Sequence, residues 1–111
     1  MSNRFHYARW VAAAFLGVSA IRHVVLAIQG DPSVARHWLF VAVNFGLALL
    51  LVRWPRPALY ATLLLSVQQE YSHGSALLES MRGPGPFDFA SLAVCIFFPA
   101  LLVLLTLERR Q

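Results

Sequence analysis

Apolar residues fall in four runs separated by short polar breaks. The runs cover about Trp10 to Ile28, Trp38 to Val52, Ala58 to His73 and Phe87 to Leu107. Crossing a bilayer as a helix takes about 20 residues, within a range near 17 to 25. The first and fourth runs meet that length. The second and third are short and need their flanks, or a locally thinned bilayer. The breaks carry turn chemistry: "QGDPS" (29–33), "RWPRP" (53–57) and "GSALLESMRGPGP" (74–86). Gly-Asp-Pro-Ser is strong punctuation. "RWPRP" leaves almost no loop, and the Gly/Pro cluster cannot continue a helix; "SALLESM" is expected as a short surface helix before it. The pattern predicts an all-α, four-transmembrane-helix antiparallel bundle, a single membrane domain over residues 1–111.

Polar residues interrupt this pattern at one depth. "QQEYSHG" (68–74) follows "PALYATLLLSV", which has almost nothing polar. Glu70 lies twelve residues beyond Ala58, roughly 18 Å along a helix axis. Arg22 and His23 lie twelve and thirteen residues beyond Trp10, again roughly 18–20 Å. Asn44 is six residues, roughly 9 Å, from the head of the second run. Arg22, His23, Asn44, Gln68, Gln69, Glu70, His73 and Asp88 therefore share the outer third of the bilayer, while the inner part is nearly free of ionisable groups. Thr62, Ser66, Gln69, Glu70 and His73 recur at helical spacing on one stripe. Ser19, Arg22, His23 and Leu26 share a face of the first run. His37, Val41, Asn44 and Ala48 do so on the second, and Asp88, Ser91, Cys95 and Pro99 on the fourth. Ionisable groups in membrane segments nearly always face the bundle interior or a wet cavity.

Composition agrees with the membrane. Hydrophobic residues make up 59% of the chain and charged residues 13%, about half the usual share for a soluble domain; mean hydropathy is +0.63. The net charge of +4 sets nine basic residues, all arginine, against five acidic ones. The arginines flank apolar runs and form no basic surface with interleaved aromatics, so a nucleic-acid partner is excluded. Arg4, Arg9, Arg53, Arg56, Arg109 and Arg110 fall on one side of a four-span layout, and Arg36 and Arg82 on the other. That six-to-two bias places both termini in the cytoplasm. The localisation expected is the inner (cytoplasmic) membrane, multi-pass. Trp10, Trp38 and Trp54 sit at expected interfaces. "VSA" (18–20) resembles a signal-peptide cleavage site, but apolar residues resume and continue to Ile28, so an uncleaved first span is expected. The single cysteine, Cys95, is read as a small buried hydrophobe.

The candidate chemistry divides residue by residue. Arg22 and Glu70 read as an ion pair pinning the first helix to the third, or as an acid/base carboxylate with an orienting guanidinium. His23 and His73 read as hydrogen-bonded structural histidines, as acid/base groups near neutral pH, or as axial ligands of a haem; no spacing motif marks the haem. His6 and His37 read as interfacial. Asn44, Gln68, Gln69 and Tyr71 read as interhelical glue or as groups that recognise a ligand hydroxyl or carbonyl. Asp88 reads as an N-terminal helix charge or as a second carboxylate paired with His73 or Arg22. The catalytic candidates are thus Glu70, His73, His23 and Asp88. The substrate-binding candidates are Arg22, Asn44, Gln69 and Tyr71. No metal site is expected.

Three stretches carry a family likeness. "ARWVAAAFLGVSAIRHV" (8–24) resembles the first helix of DoxX-like membrane proteins, with an Arg near its start and a polar pair near its outer end. "NFGLALLLVRWPRPALYATLLL" (44–65) resembles their second-to-third helix hairpin with its short, basic, proline-containing turn, and His73 fits the histidine that closes the third helix. The resemblance implies a small four-helix membrane bundle linked to redox partners or quinone-associated oxidation. The function expected is binding or conversion of a lipophilic small molecule, such as a quinone, isoprenoid or sterol-like lipid, near the outer leaflet. The alternatives are a non-catalytic subunit of a larger membrane complex and a small oligomeric transporter. The lipid bilayer is the expected partner. A homo-oligomer or a membrane-protein partner stays open, and the cofactor is left unassigned.

Overall fold

The computed structural model describes residues 3–111. The chain is all-α: helices α1 (Asn3–Ile28), α2 (Val34–Arg53), α3 (Pro55–Arg82) and α4 (Phe89–Arg109). Helices α1, α2 and α4 are long and apolar enough to cross a membrane. At 28 residues α3 is the longest, yet the polar residues from Gln68 onward dilute its apolar character.

Residues 1–58 and 59–111 form two compact units. In the first, α1 packs against α2. Gly30 ends α1 at φ 79°, a left-handed conformation that glycine adopts without a Cβ clash. The Gly30 N–H bonds Ala27 O and the Asp31 N–H bonds Leu26 O, each at 3.3 Å. That pairing of the last carbonyls is the Schellman arrangement. The Asp31 carboxylate then accepts from the Ser33 N–H at 2.8 Å, and α2 starts at Val34, four residues before the apolar run at Trp38. At the other end of the pair Arg9 Nη1 donates to Leu51 O at 2.7 Å. The guanidinium thereby caps the C-terminus of α2, where free carbonyls and the helix dipole favour a cation. Between these ends α1 buries Ala12, Ala13, Leu16 and Ala20, and α2 buries Leu47 and Leu51. Small side chains on α1 allow close helix approach.

Only Trp54 separates α2 from α3. Its N–H bonds Leu50 O and its carbonyl accepts from the Ala58 N–H. Pro55 sits in the first turn of α3, where a missing N–H costs nothing.

In the second unit α3 differs from the sequence expectation. It neither ends at His73 nor yields to a separate surface helix; Gly74 lies inside it, and "SALLESMR" extends it to Arg82. "SALLESMR" consists largely of good helix formers, and one interior glycine costs only about 1 kcal/mol, so no breaker acts before Gly83-Pro84-Gly85-Pro86. Gly85, at φ 139°, makes the turn. Asp88 caps α4, its side chain accepting from the Ser91 N–H at 2.9 Å. Pro99 sits on the exposed side of α4 rather than on the Asp88–Ser91–Cys95 face.

Candidate functional site

The α3–α4 hairpin brings three of the polar side chains into one hydrogen-bond chain. His73 Nδ1 lies 3.0 Å from Ser91 Oγ, and the Ser91 hydroxyl donates to Asp88 Oδ2 at 2.7 Å. A serine hydroxyl has one proton. Because Asp88 takes it, Ser91 Oγ accepts from His73, so the His73 Nδ1 carries the hydrogen. In the neutral ring the lone pair then resides on Nε2. This is a different order from a nucleophilic triad, in which the imidazole removes the hydroxyl proton. Here the carboxylate orients the hydroxyl, and the hydroxyl orients the imidazole. Asp88 is also held from behind: its N–H donates to Ser80 Oγ at 3.2 Å, whose own proton goes to Leu77 O. Both readings of Asp88 therefore apply at once, as helix cap and as partner of His73 through Ser91.

Glu70 lies one turn before His73 on α3. It is half-buried, and its Oε1 is enclosed without a hydrogen-bond partner among the described residues. Cys95 is half-buried on α4. Thr62, Ser66 and Gln69 are buried on the same stripe, and the hydroxyls of Thr62 and Ser66 also lack partners. Gln69 donates to the Gln68 side chain. Tyr71, 80% exposed, points the opposite way, and Gln68 is exposed as well.

The first unit carries its own constellation. His23 Nδ1 and His37 Nδ1 are 2.9 Å apart, and His37 Nε2 is 3.2 Å from Asp31 Oδ1. His23 stacks on Phe40 with ring centroids 5.5 Å apart. Asn44 is buried and donates to Ser19 Oγ at 3.3 Å. Arg22 is exposed, not on the inward face expected of it. It stands one residue, roughly 100° of helix turn, from His23, and the buried alanines set the inward direction on His23's side. Arg22 and Glu70 belong to different units.

The Ser33 N–H bond, and then His37, hold the Asp31 carboxyl below the usual aspartate range. A depressed folded value means that Asp31 stabilises the turn above its unfolded pKa, and that this contribution is lost as pH falls through the folded one.

Sequence reasoning missed His37 and Asp31 as chemical partners of His23, and Ser91 as the link from His73 to Asp88. The first pair had a signal. Asp31 is the sole carboxylate in residues 1–58, and the two histidines flank its turn at similar distances. The serine had only its place three residues after Asp88. Among the described residues no three histidine, cysteine or acidic side chains gather as a metal site would need. No protein-family model matches the chain, and no curated protein or solved structure matches it.

Proposed function

We propose that the chain is a four-span inner-membrane protein, both termini cytoplasmic, that binds or converts a lipophilic small molecule near the outer leaflet. The observation that carries this reading is the Asp88–Ser91–His73 chain. It prepares an imidazole with a defined proton position in a segment where polar groups are costly. Such an imidazole can accept a proton or hydrogen bond at Nε2. Glu70, with an unpartnered oxygen one turn away, supplies a second group for a ligand hydroxyl or carbonyl. A quinone, isoprenoid alcohol or sterol-like lipid carries such oxygens on an apolar body, and the resemblance to DoxX-like proteins favours the quinone. Gln69, buried on the same α3 stripe, is assigned a supporting role in recognition. In this reading α3 also crosses the membrane, its polar end at the outer interface.

Two measurements test the proposal. Native mass spectrometry of protein extracted in mild detergent is expected to show a discrete added mass of a quinone or lipid, with no Soret band in the absorption spectrum. A bare polypeptide of one mass removes the ligand reading and favours a subunit that has lost its partner. For topology, single cysteines at Ser33→Cys and Gln111→Cys in a Cys95→Ser background are treated with an impermeant maleimide on spheroplasts. Labelling is expected at position 33 and not at 111; the reverse pattern, or labelling at both, overturns the layout.

A further inference from the structure

We propose that Asp31, His37 and His23 form a proton relay from the aqueous α1–α2 turn to the half-buried ring of His23. It stands on the first unit alone and does not depend on the reading of His73.

Proton transfer needs heavy atoms within about 2.6–3.2 Å. Both steps meet that limit: 3.2 Å from Asp31 Oδ1 to His37 Nε2, and 2.9 Å from His37 Nδ1 to His23 Nδ1. The Asp31 carboxylate is close to Nε2 but forms no hydrogen bond with it, so the first transfer requires the turn to bring the two into line. The two rings meet end-on. With ring centroids 5.1 Å apart and facing nitrogens 2.9 Å apart, both nitrogens lie nearly on the line between the ring centres. An N–H on one ring then points straight at the lone pair of the other. A metal ion held by both rings would need the nitrogens turned toward a common third point, and their tetrahedral separation at bonds of 2.0–2.1 Å would be about 3.3 Å. The geometry suits a shared proton instead.

The proton count balances without any redox partner. A proton from water binds the part-exposed Asp31 carboxylate and passes from it to the enclosed His37 Nε2. The His37 Nδ1 proton passes to His23 Nδ1. The His23 Nε2 proton leaves to water or to a basic oxygen. One proton enters and one leaves, and the reverse sequence or a ring flip resets the pair. Charged groups of this unit at this end of the α1–α2 pair include Asp31, the exposed Arg22 beside His23, and Arg36, whose guanidinium lies 5.6 Å above the Phe40 ring on which His23 stacks. Asp31 is the sole acidic side chain in this unit, and it sits at the water end of the chain.

The test is NMR on full-length protein in lipid nanodiscs with 15N-labelled histidine. A scalar coupling between the two Nδ1 atoms is expected, together with rapid exchange of the His23 ring proton with water. Asp31→Asn and His37→Asn are each expected to slow that exchange at least about tenfold, and Asp31→Glu to restore it. His73 exchange, measured in the same samples, is expected to stay constant and so reports that no global opening has occurred. Unchanged His23 exchange in Asp31→Asn, or no coupling in the wild-type chain, overturns the relay. Should His37→Asn fail to fold, Asp31→Asn carries the test alone, because its side chain lies in the turn outside both helices.

Discussion

Replacing His73 with asparagine is expected to empty the site while leaving the helices in place. The asparagine amide can still donate to Ser91 Oγ, so the buried serine keeps a partner. What is lost is the Nε2 lone pair. If His73 works as an acid/base group, turnover of a short-chain quinone falls by about 10²- to 10⁴-fold, and the added mass seen by native mass spectrometry disappears. Glu70→Gln is expected to act in the same direction, because the amide keeps the shape and removes the charge. A structural role predicts something else. Both variants would then keep the bound molecule and lower only the melting temperature, as would Arg22→Met if that side chain merely anchors the helix. The pair of readouts separates a binding site from interhelical glue.

Asp88→Ala is expected to give the largest loss of stability among the polar positions. Asp88 accepts from the Ser91 N–H and the Ser91 hydroxyl. Losing an N-cap carboxylate alone costs about 1–2 kcal/mol, and the buried Ser91 hydroxyl also loses its acceptor. Melting is expected to fall by roughly 5–10 °C. Asp88→Asn is the informative companion. Asparagine caps helices about as well as aspartate, so most of the stability returns. Its charge does not return, and Ser91 is then free to reverse its proton and present it to His73. Recovered melting with lost quinone binding would show that Asp88 sets the His73 proton, beyond closing the helix. Equal recovery of both would reduce Asp88 to a cap.

The two constellations share a physical logic. Each hydroxyl or imidazole is oriented by a carboxylate that sits at a helix end, not within a span. Asp31 lies in the α1–α2 turn and Asp88 at the head of α4. At those places a backbone N–H stabilises the charge and the carboxylate lies outside the apolar helix, so the desolvation cost that discourages carboxylates within a membrane segment is reduced. Glu70 is the exception, within α3 and with an oxygen lacking any partner among the described residues. That makes it the carboxylate for which an external partner has most to offer.

Much of the fold was legible in the residue pattern. Long apolar runs and Gly/Pro breaks specify helices and their ends through local physics: backbone hydrogen bonding, the missing proline N–H and the conformational freedom of glycine. The first turn falls at 29–33 as expected, the second break, expected over 53–57, narrows to Trp54, and the third connection closes at the Gly/Pro cluster. The α3 stripe of Thr62, Ser66 and Gln69 is buried as its spacing requires, and Tyr71 points away from it. The end of α3 was misplaced by nine residues, because a polar segment with good helix propensity looks like a loop when hydropathy alone is read.

Side-chain partnership was not legible, since it depends on which helix faces meet and at what register. One residue of rotation separates exposed Arg22 from half-buried His23, and no property of either side chain states which one turns inward. His37 read as an interfacial histidine until the α1–α2 register set its Nδ1 against that of His23. Ser91 read as a small polar residue until the α3–α4 register set it between His73 and Asp88. The sequence by itself determined the helices, their breaks and their apolar lengths, because those follow from neighbours along the chain. Only the tertiary structure decided which polar atoms share protons, because those distances are set by packing between helices.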